Sequence, residues 1–136
     1  MSSYTKEKLN KVIRGSNRAT YDKEQINRIL DAGFIGFVSY VFNGTAISIP
    51  MAYSRIGDKI YLHGSLKNRM LRAALDADQM SMTIMHLDAL VLARSGLHHS
   101  VNYRSATLFG KLKIIENREL KIDILESIIN FMVPDR

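Results

Sequence analysis

Cysteine and tryptophan are both absent from this 136-residue chain. Without cysteine, neither a disulfide framework nor a thiolate metal site can form. That composition suits a reducing compartment, so a cytoplasmic location is the expectation. Proline occurs only at Pro50 and Pro134, and no Pro-rich linker divides the chain. No apolar run approaches the ~18 residues that span a membrane. The polar start Met1-Ser2-Ser3-Tyr4-Thr5-Lys6 carries no signal-peptide core. Repeats and low-complexity tracts are missing as well. A chain of this length that is 46% hydrophobic can bury a core, and one domain over residues 1–136 is expected.

Acidic residues are in short supply: 13 against 19 Lys and Arg, a net charge of +6. That balance favours an anionic partner. The cations are scattered, and aromatics do not alternate with them as on a base-stacking platform, so nucleic acid is not the expected partner. The charge reads as a solvated surface plus an anion site.

Residues 1–20 are polar and basic and read as an arm. Asp22 to Ala32 places Ile26, Ile29 and Leu30 at helical spacing, with Asp22 as N-cap and Gly33 as a C-cap signal. Phe34 to Phe42 is rich in aromatic and β-branched residues, a strand, and Asn43-Gly44 is a hairpin turn. The returning strand, Thr45 to Ser54, contains Pro50, which predicts an edge or an interruption there. After Gly57-Asp58 a third strand covers Lys59 to His63. Helical spacing resumes from Leu66 through Met70, Leu71, Ala74 and Leu75. Met80 to His86 and Ala89 to Ala93 read as two strands with Asp88 in a turn. Val101 to Glu116 reads as one long strand with a bend at Gly110. Leu120, Ile124, Ile128 and Phe131 mark a last amphipathic helix. Five to seven strands with three helices, several joined by tight turns, point to a mainly β fold: an antiparallel barrel with peripheral helices.

One stretch carries distinct chemistry: Tyr61-Leu62-His63-Gly64-Ser65-Leu66-Lys67-Asn68-Arg69. A strand, a small-residue turn and a helix start present N–H groups and a partial positive charge to an anion. Ser65 can cap the helix or donate to a phosphate, and Arg69 can add two parallel hydrogen bonds. Alone, the pattern is also that of an ordinary strand-to-helix turn with solvated cations. A second polar run, Arg94 to Ser105, lies between apolar strands, where loops carry function on a rigid scaffold or simply form a solvated hairpin. His63, His86, His98 and His99 are not at metal-site spacing; adjacent His98 and His99 would point apart in an extended chain, and no acidic cluster flanks them, so no metal is expected. No nucleophilic triad can be assembled, and no catalytic residue is assigned.

Together the segments resemble the flavin-nucleotide-binding branch of the pyridoxamine 5′-phosphate oxidase-like family, which includes nitroimidazole-resistance flavoproteins. The resemblance rests on Arg18-Ala19-Thr20-Tyr21-Asp22, Ile49-Pro50-Met51, His63-Gly64-Ser65 with Arg69, His98-His99-Ser100-Val101-Asn102-Tyr103-Arg104-Ser105, and Phe109-Gly110. It runs from about Arg14 to the C-terminal end. It implies an antiparallel split β-barrel of six or seven strands, working as a homodimer with FMN in clefts between subunits. By the same resemblance, Ser65, Lys67 and Arg69 hold the FMN phosphate, and Gly64 forms the turn. Ile49, Pro50 and Met51 run beside the ring system with His63 near it, and His98, His99, Ser100, Asn102, Tyr103, Arg104 and Ser105 help to build the cleft. Relatives continue beyond a segment like Val133-Pro134-Asp135-Arg136 with a strand-containing tail, which is expected to be absent here.

The function implied is an FMN-dependent oxidoreductase that passes electrons from reduced nicotinamide, NAD(P)H, to a small organic acceptor. The flavin would carry the redox chemistry, which accounts for the missing triad. Two other readings stay open: a flavin-binding module without turnover, and a haem-binding or haem-degrading protein on the same barrel with one histidine as iron ligand.

Overall fold

The computed structural model describes residues 2–65 and 67–135. Its elements are α1 (Lys23–Asp31), β1 (Ile35–Phe42), β2 (Thr45–Ile56), β3 (Lys59–Leu62), α2 (Arg69–Asp76), β4 (Met80–Val91), β5 (Ser100–Gly110) and α3 (Arg118–Met132), with single 3₁₀ turns at Ser16–Arg18 and Gly96–His98. The strands form a five-stranded sheet in the order β3-β2-β1-β4-β5, and every pairing is antiparallel.

Local chemistry sets the first hairpin. Asn43 and Gly44 both have positive φ, 48° and 76°, which a two-residue turn of the I′ type requires. The register then runs from Phe42 opposite Thr45 to Ile35 opposite Ala52. Gly57, with φ of 60°, turns β2 into β3. Pro50 sits opposite Phe37 of β1, and β3 joins β2 only from Tyr53 onward. The half of β2 carrying Pro50 is therefore a sheet edge, where a missing N–H costs nothing.

Alternation divides the sheet into two faces. Val38 and Tyr40 of β1, Met82 and Ile84 of β4 and Ala106 of β5 are buried on one. Leu30 of α1 and Met70 and Ala74 of α2 join them in the core. Tyr53 is fully buried, donates its hydroxyl to the Leu30 carbonyl at 2.5 Å, and packs its ring 5.7 Å from that of Phe131 in α3. One side chain thus ties β2 to α1 and α3. Asp22 caps α1 by accepting from the Gln25 N–H, and Asn117 caps α3 by accepting from Leu120. The arm is fastened by Tyr4 N–H to the Tyr21 carbonyl and by the Tyr21 hydroxyl, which meets the Val12 N–H and the Asn10 carbonyl.

The structure corrects several expectations. There are five strands among the described residues, not six or seven, and the barrel is open between β3 and β5. The two segments around Asp88 are one strand, β4, with an irregularity between Leu87 and Ala89. Asp88 is the residue at that irregularity, unpaired between Leu87 and Ala89, and its carboxylate is held by Arg104 of β5. β5 stops at Gly110 rather than bending there. α1 does end just before Gly33, with Ala32 as its C-cap, but Gly33 lacks the positive φ with which a glycine usually closes a helix. Its reason is proximity, because a Cβ on Gly33 would lie 2.6 Å from Cε1 of His86.

Candidate functional site

α2 begins at Arg69, with Asn68 as its N-cap. The Asn68 carboxamide oxygen accepts from the N–H groups of Met70 and Leu71, at 2.9 and 3.4 Å. Leu66, where helical spacing was expected to resume, lies outside the described residues. Ser65 does not cap the helix. Its Oγ accepts from the Lys67 N–H at 3.1 Å, and its carbonyl accepts from the Asn68 N–H. Two of the helix's free N–H groups are thus already engaged. An anion here would meet side chains instead: the Ser65 hydroxyl, which keeps its proton for donation, and the cations of Lys67 and Arg69. That donor set suits a phosphate. The Arg69 guanidinium lies 5.7 Å from the Phe42 ring centroid, a cation–π contact that holds it beside the end of β1. Gly64 has a packing reason of its own, because a Cβ there would collide with Cδ1 of Leu71.

Ile49 and Met51 pair with Val38 and Gly36 and pack against the core, while Pro50 between them faces the opposite side with Phe37. The His98–Ser105 run forms the far end of the β4–β5 ribbon, with His98 in the 3₁₀ turn. His99 is structural there: its Nδ1 accepts from the Ala93 N–H at 2.9 Å. Arg104 donates to both oxygens of Asp88, from Nε at 3.0 Å and from Nη2 at 3.0 Å. That pairing holds the Asp88 carboxyl below the usual carboxylate range and raises Arg104. Ser100 lies opposite Val91 and Asn102 opposite Ala89, while Tyr103 and Ser105 face Leu87 and Met85.

These residues fall into two groups. His63, Gly64 and Asn102 to Ser105 line one wide cleft of about 2240 Å³, between the arm, the free edges of β3 and β5, and α3. Ile49, Pro50, Met51, Ser65, Lys67, Arg69, His98, His99 and Ser100 lie outside it. Sequence reasoning missed this cleft and its cations, among them Arg14, Arg18, Lys111 and Lys113. The nearest sequence signal was Lys111-Leu112-Lys113 directly after a strand.

On the sheet's other face, Phe37, Val41, Met85, Leu87, Tyr103 and Phe109 are exposed, and the strand register puts them on one side. Among the described residues no group of histidines and carboxylates could hold a metal ion. Among the same residues, no helix is long and apolar enough to cross a membrane.

An antiparallel barrel left open along one side, with helices at its periphery, defines the split-barrel class. The chain belongs to the pyridoxamine 5′-phosphate oxidase family, whose model matches residues 22–136. Its structure is similar to that of the flavocytochrome Anf3 from Azotobacter vinelandii, with TM-score 0.87 and 31% identity, over 95% of this chain and 60% of that one. It is also similar to a FAD- and haem-binding protein from Mycobacterium smegmatis, with TM-score 0.79 and 31% identity, over 85% of this chain and 56% of the other. A candidate 5-nitroimidazole antibiotic resistance protein from Bacteroides thetaiotaomicron matches with TM-score 0.70 and 25% identity, over 85% of this chain and 69% of that one. The chain thus spans about three fifths of the first two relatives. No curated protein matches its sequence.

Proposed function

We propose that this protein binds FMN as a homodimer and passes electrons from reduced nicotinamide to a small organic acceptor. Family membership carries the flavin part of this reading. Ser65, Lys67 and Arg69 would hold the phosphate through one hydroxyl and two cations. The flavin, when bound, supplies the redox chemistry. The chain's own contribution is to bind and orient it: the Pro50 edge of β2 leaves backbone groups open to a flat ring, and Arg69 is fixed over Phe42. The exposed apolar face of Phe37, Met85, Leu87 and Tyr103 supports a second copy covering the sheet. Titrating FMN into the purified chain, followed by NADH and NADPH oxidation, tests the reading. Saturable binding with turnover supports it. Binding without turnover indicates a flavin module instead.

A second reading, haem in addition to flavin, is favoured by the wide cleft with His63 on its wall. Two structural relatives are described as a flavocytochrome and as a FAD- and haem-binding protein. Haemin added to the protein should then give a shifted Soret band.

A further inference from the structure

Cations occur along the whole chain, but their excess does not. Residues 1–20 hold Lys6, Lys8, Lys11, Arg14 and Arg18 against Glu7 alone, so the arm carries +4 of the chain's +6. All five cations are exposed, and among the described residues none lies within 4.0 Å of a carboxylate. The run Lys8-Leu9-Asn10-Lys11-Val12-Ile13-Arg14 also interleaves them with aliphatic side chains. Leu9 is 54% exposed, Val12 42% and Ile13 86%. A single exposed aliphatic residue needs no explanation. Three within five residues, between cations, form an apolar patch under a positive field.

The patch is displayed on a fastened segment. The Asn10 carboxamide accepts from the Glu7 N–H at 2.7 Å and donates to the Thr5 carbonyl at 3.0 Å, and the Val12 N–H donates to the Tyr21 hydroxyl at 2.8 Å. The Lys23 N–H holds the Ser2 carbonyl at 3.1 Å. Lys6, Lys8 and Ile13 lie off the wide cleft. The composition narrows the partner. Cores of protein interfaces favour aromatic residues, Met and Arg and disfavour Lys, whereas the patch offers Lys, Leu, Val and Ile. Nucleic acid would leave the aliphatic side chains without a role. Nor are stacking rings free beside them, since Tyr21 and Tyr4 lie under the cations of Lys6 and Lys23, each 5.0 Å from the ring centroid. Apolar insertion combined with Lys and Arg is what holds a segment in the headgroup layer of an anionic bilayer.

We propose that the arm is a docking surface for an anionic phospholipid bilayer. Ile13, with Leu9 and Val12, enters the boundary between headgroups and acyl chains. Lys6, Lys8, Lys11 and Arg14 meet the lipid phosphates, their aliphatic stems lying along the apolar layer. The protein binds the surface without crossing it. The proposal does not depend on the flavin reading, because no arm residue belongs to the proposed phosphate site.

Co-sedimentation of the full chain with two kinds of vesicle tests it: equal parts phosphatidylglycerol and phosphatidylcholine, and phosphatidylcholine alone. The mixed vesicles should bind at least roughly tenfold tighter, and the preference should shrink as salt is raised. Lys8→Glu with Lys11→Glu, both at exposed positions, should remove the preference. Ile13→Ser, which leaves the charge unchanged, should weaken binding to the mixed vesicles roughly tenfold. Both variants should keep the wild-type thermal unfolding midpoint and FMN affinity. Equal binding to the two kinds of vesicle overturns the proposal. Affinity unchanged in Ile13→Ser overturns the membrane assignment, and so does tighter binding to a duplex oligonucleotide than to the mixed vesicles.

Discussion

Gly33 and His86 are a matched pair. The ring of His86 passes so close to Gly33 that a Cβ there would sit 2.6 Å from Cε1, and the same ring meets the Ile29 carbonyl through Nε2 at 2.9 Å. A residue of β4 thereby reaches across to the end of α1, and the chain leaves that helix through the gap. Gly33→Ala should destabilise the fold by roughly 1–3 kcal/mol, the usual cost of overpacking. Because Gly33 does not need positive φ, the loss is steric. His86→Ala should therefore relieve most of it in the double variant, a non-additivity that urea denaturation would measure.

Tyr53 gives a signature in alkali. Burial, aided by the nearby Asp31 charge, pushes its hydroxyl up to about 12 from the ordinary 10.0. The folded state holds this proton more tightly than the unfolded chain. Its contribution is therefore complete below pH 10, and stability falls as pH rises from about 10 to about 12. In Tyr53→Phe that part of the alkaline decline should vanish. At pH 7 the variant should lose about 1 kcal/mol with the Leu30 hydrogen bond. Thermal unfolding across pH 7 to 12 separates the two effects.

Much of this fold was legible from local chemistry. Asn43-Gly44 announces positive φ at consecutive residues, and Asp22 announces a helix start; both act within a few residues. What was hidden depends on partners far along the chain. Asp88 has turn-like chemistry, yet β4 runs on through it as a bulge, because Leu87 and Ala89 on either side pair with Tyr103 and Asn102 of β5. Gly33 carries a helix-end signal, yet its role is set by His86. Asn68 outcompetes Ser65 as the cap of α2 by reaching two N–H groups at once. For the site, the cations of α2 could be read because they are neighbours in sequence. The cleft could not, since the arm, β3, β5 and α3 meet only through the topology.

Arg69→Ala tests the phosphate assignment. Losing a charge-assisted contact should cost roughly 1.5–3 kcal/mol of FMN binding, about ten- to a hundredfold in Kd. Isothermal titration measures it. Unchanged affinity removes Arg69 from the site.

The exposed face offers a test of self-association. Leu87 is 58% exposed and Tyr103, directly opposite it, 54%, so Leu87→Lys with Tyr103→Glu, which puts opposite charges across the strand pair, should not disturb folding of the single chain. If a second copy covers this face, the double variant should weaken dimerisation at least a hundredfold, because two central apolar contacts become buried charges. Sedimentation equilibrium across a concentration series reads the change.

The most direct measurement is an absorption spectrum of the purified protein, before and after FMN is added and unbound flavin removed. The account predicts retained flavin bands at one FMN per chain, lost in large part when Lys67 and Arg69 are both changed to Ala. A colourless protein that retains no FMN would contradict it.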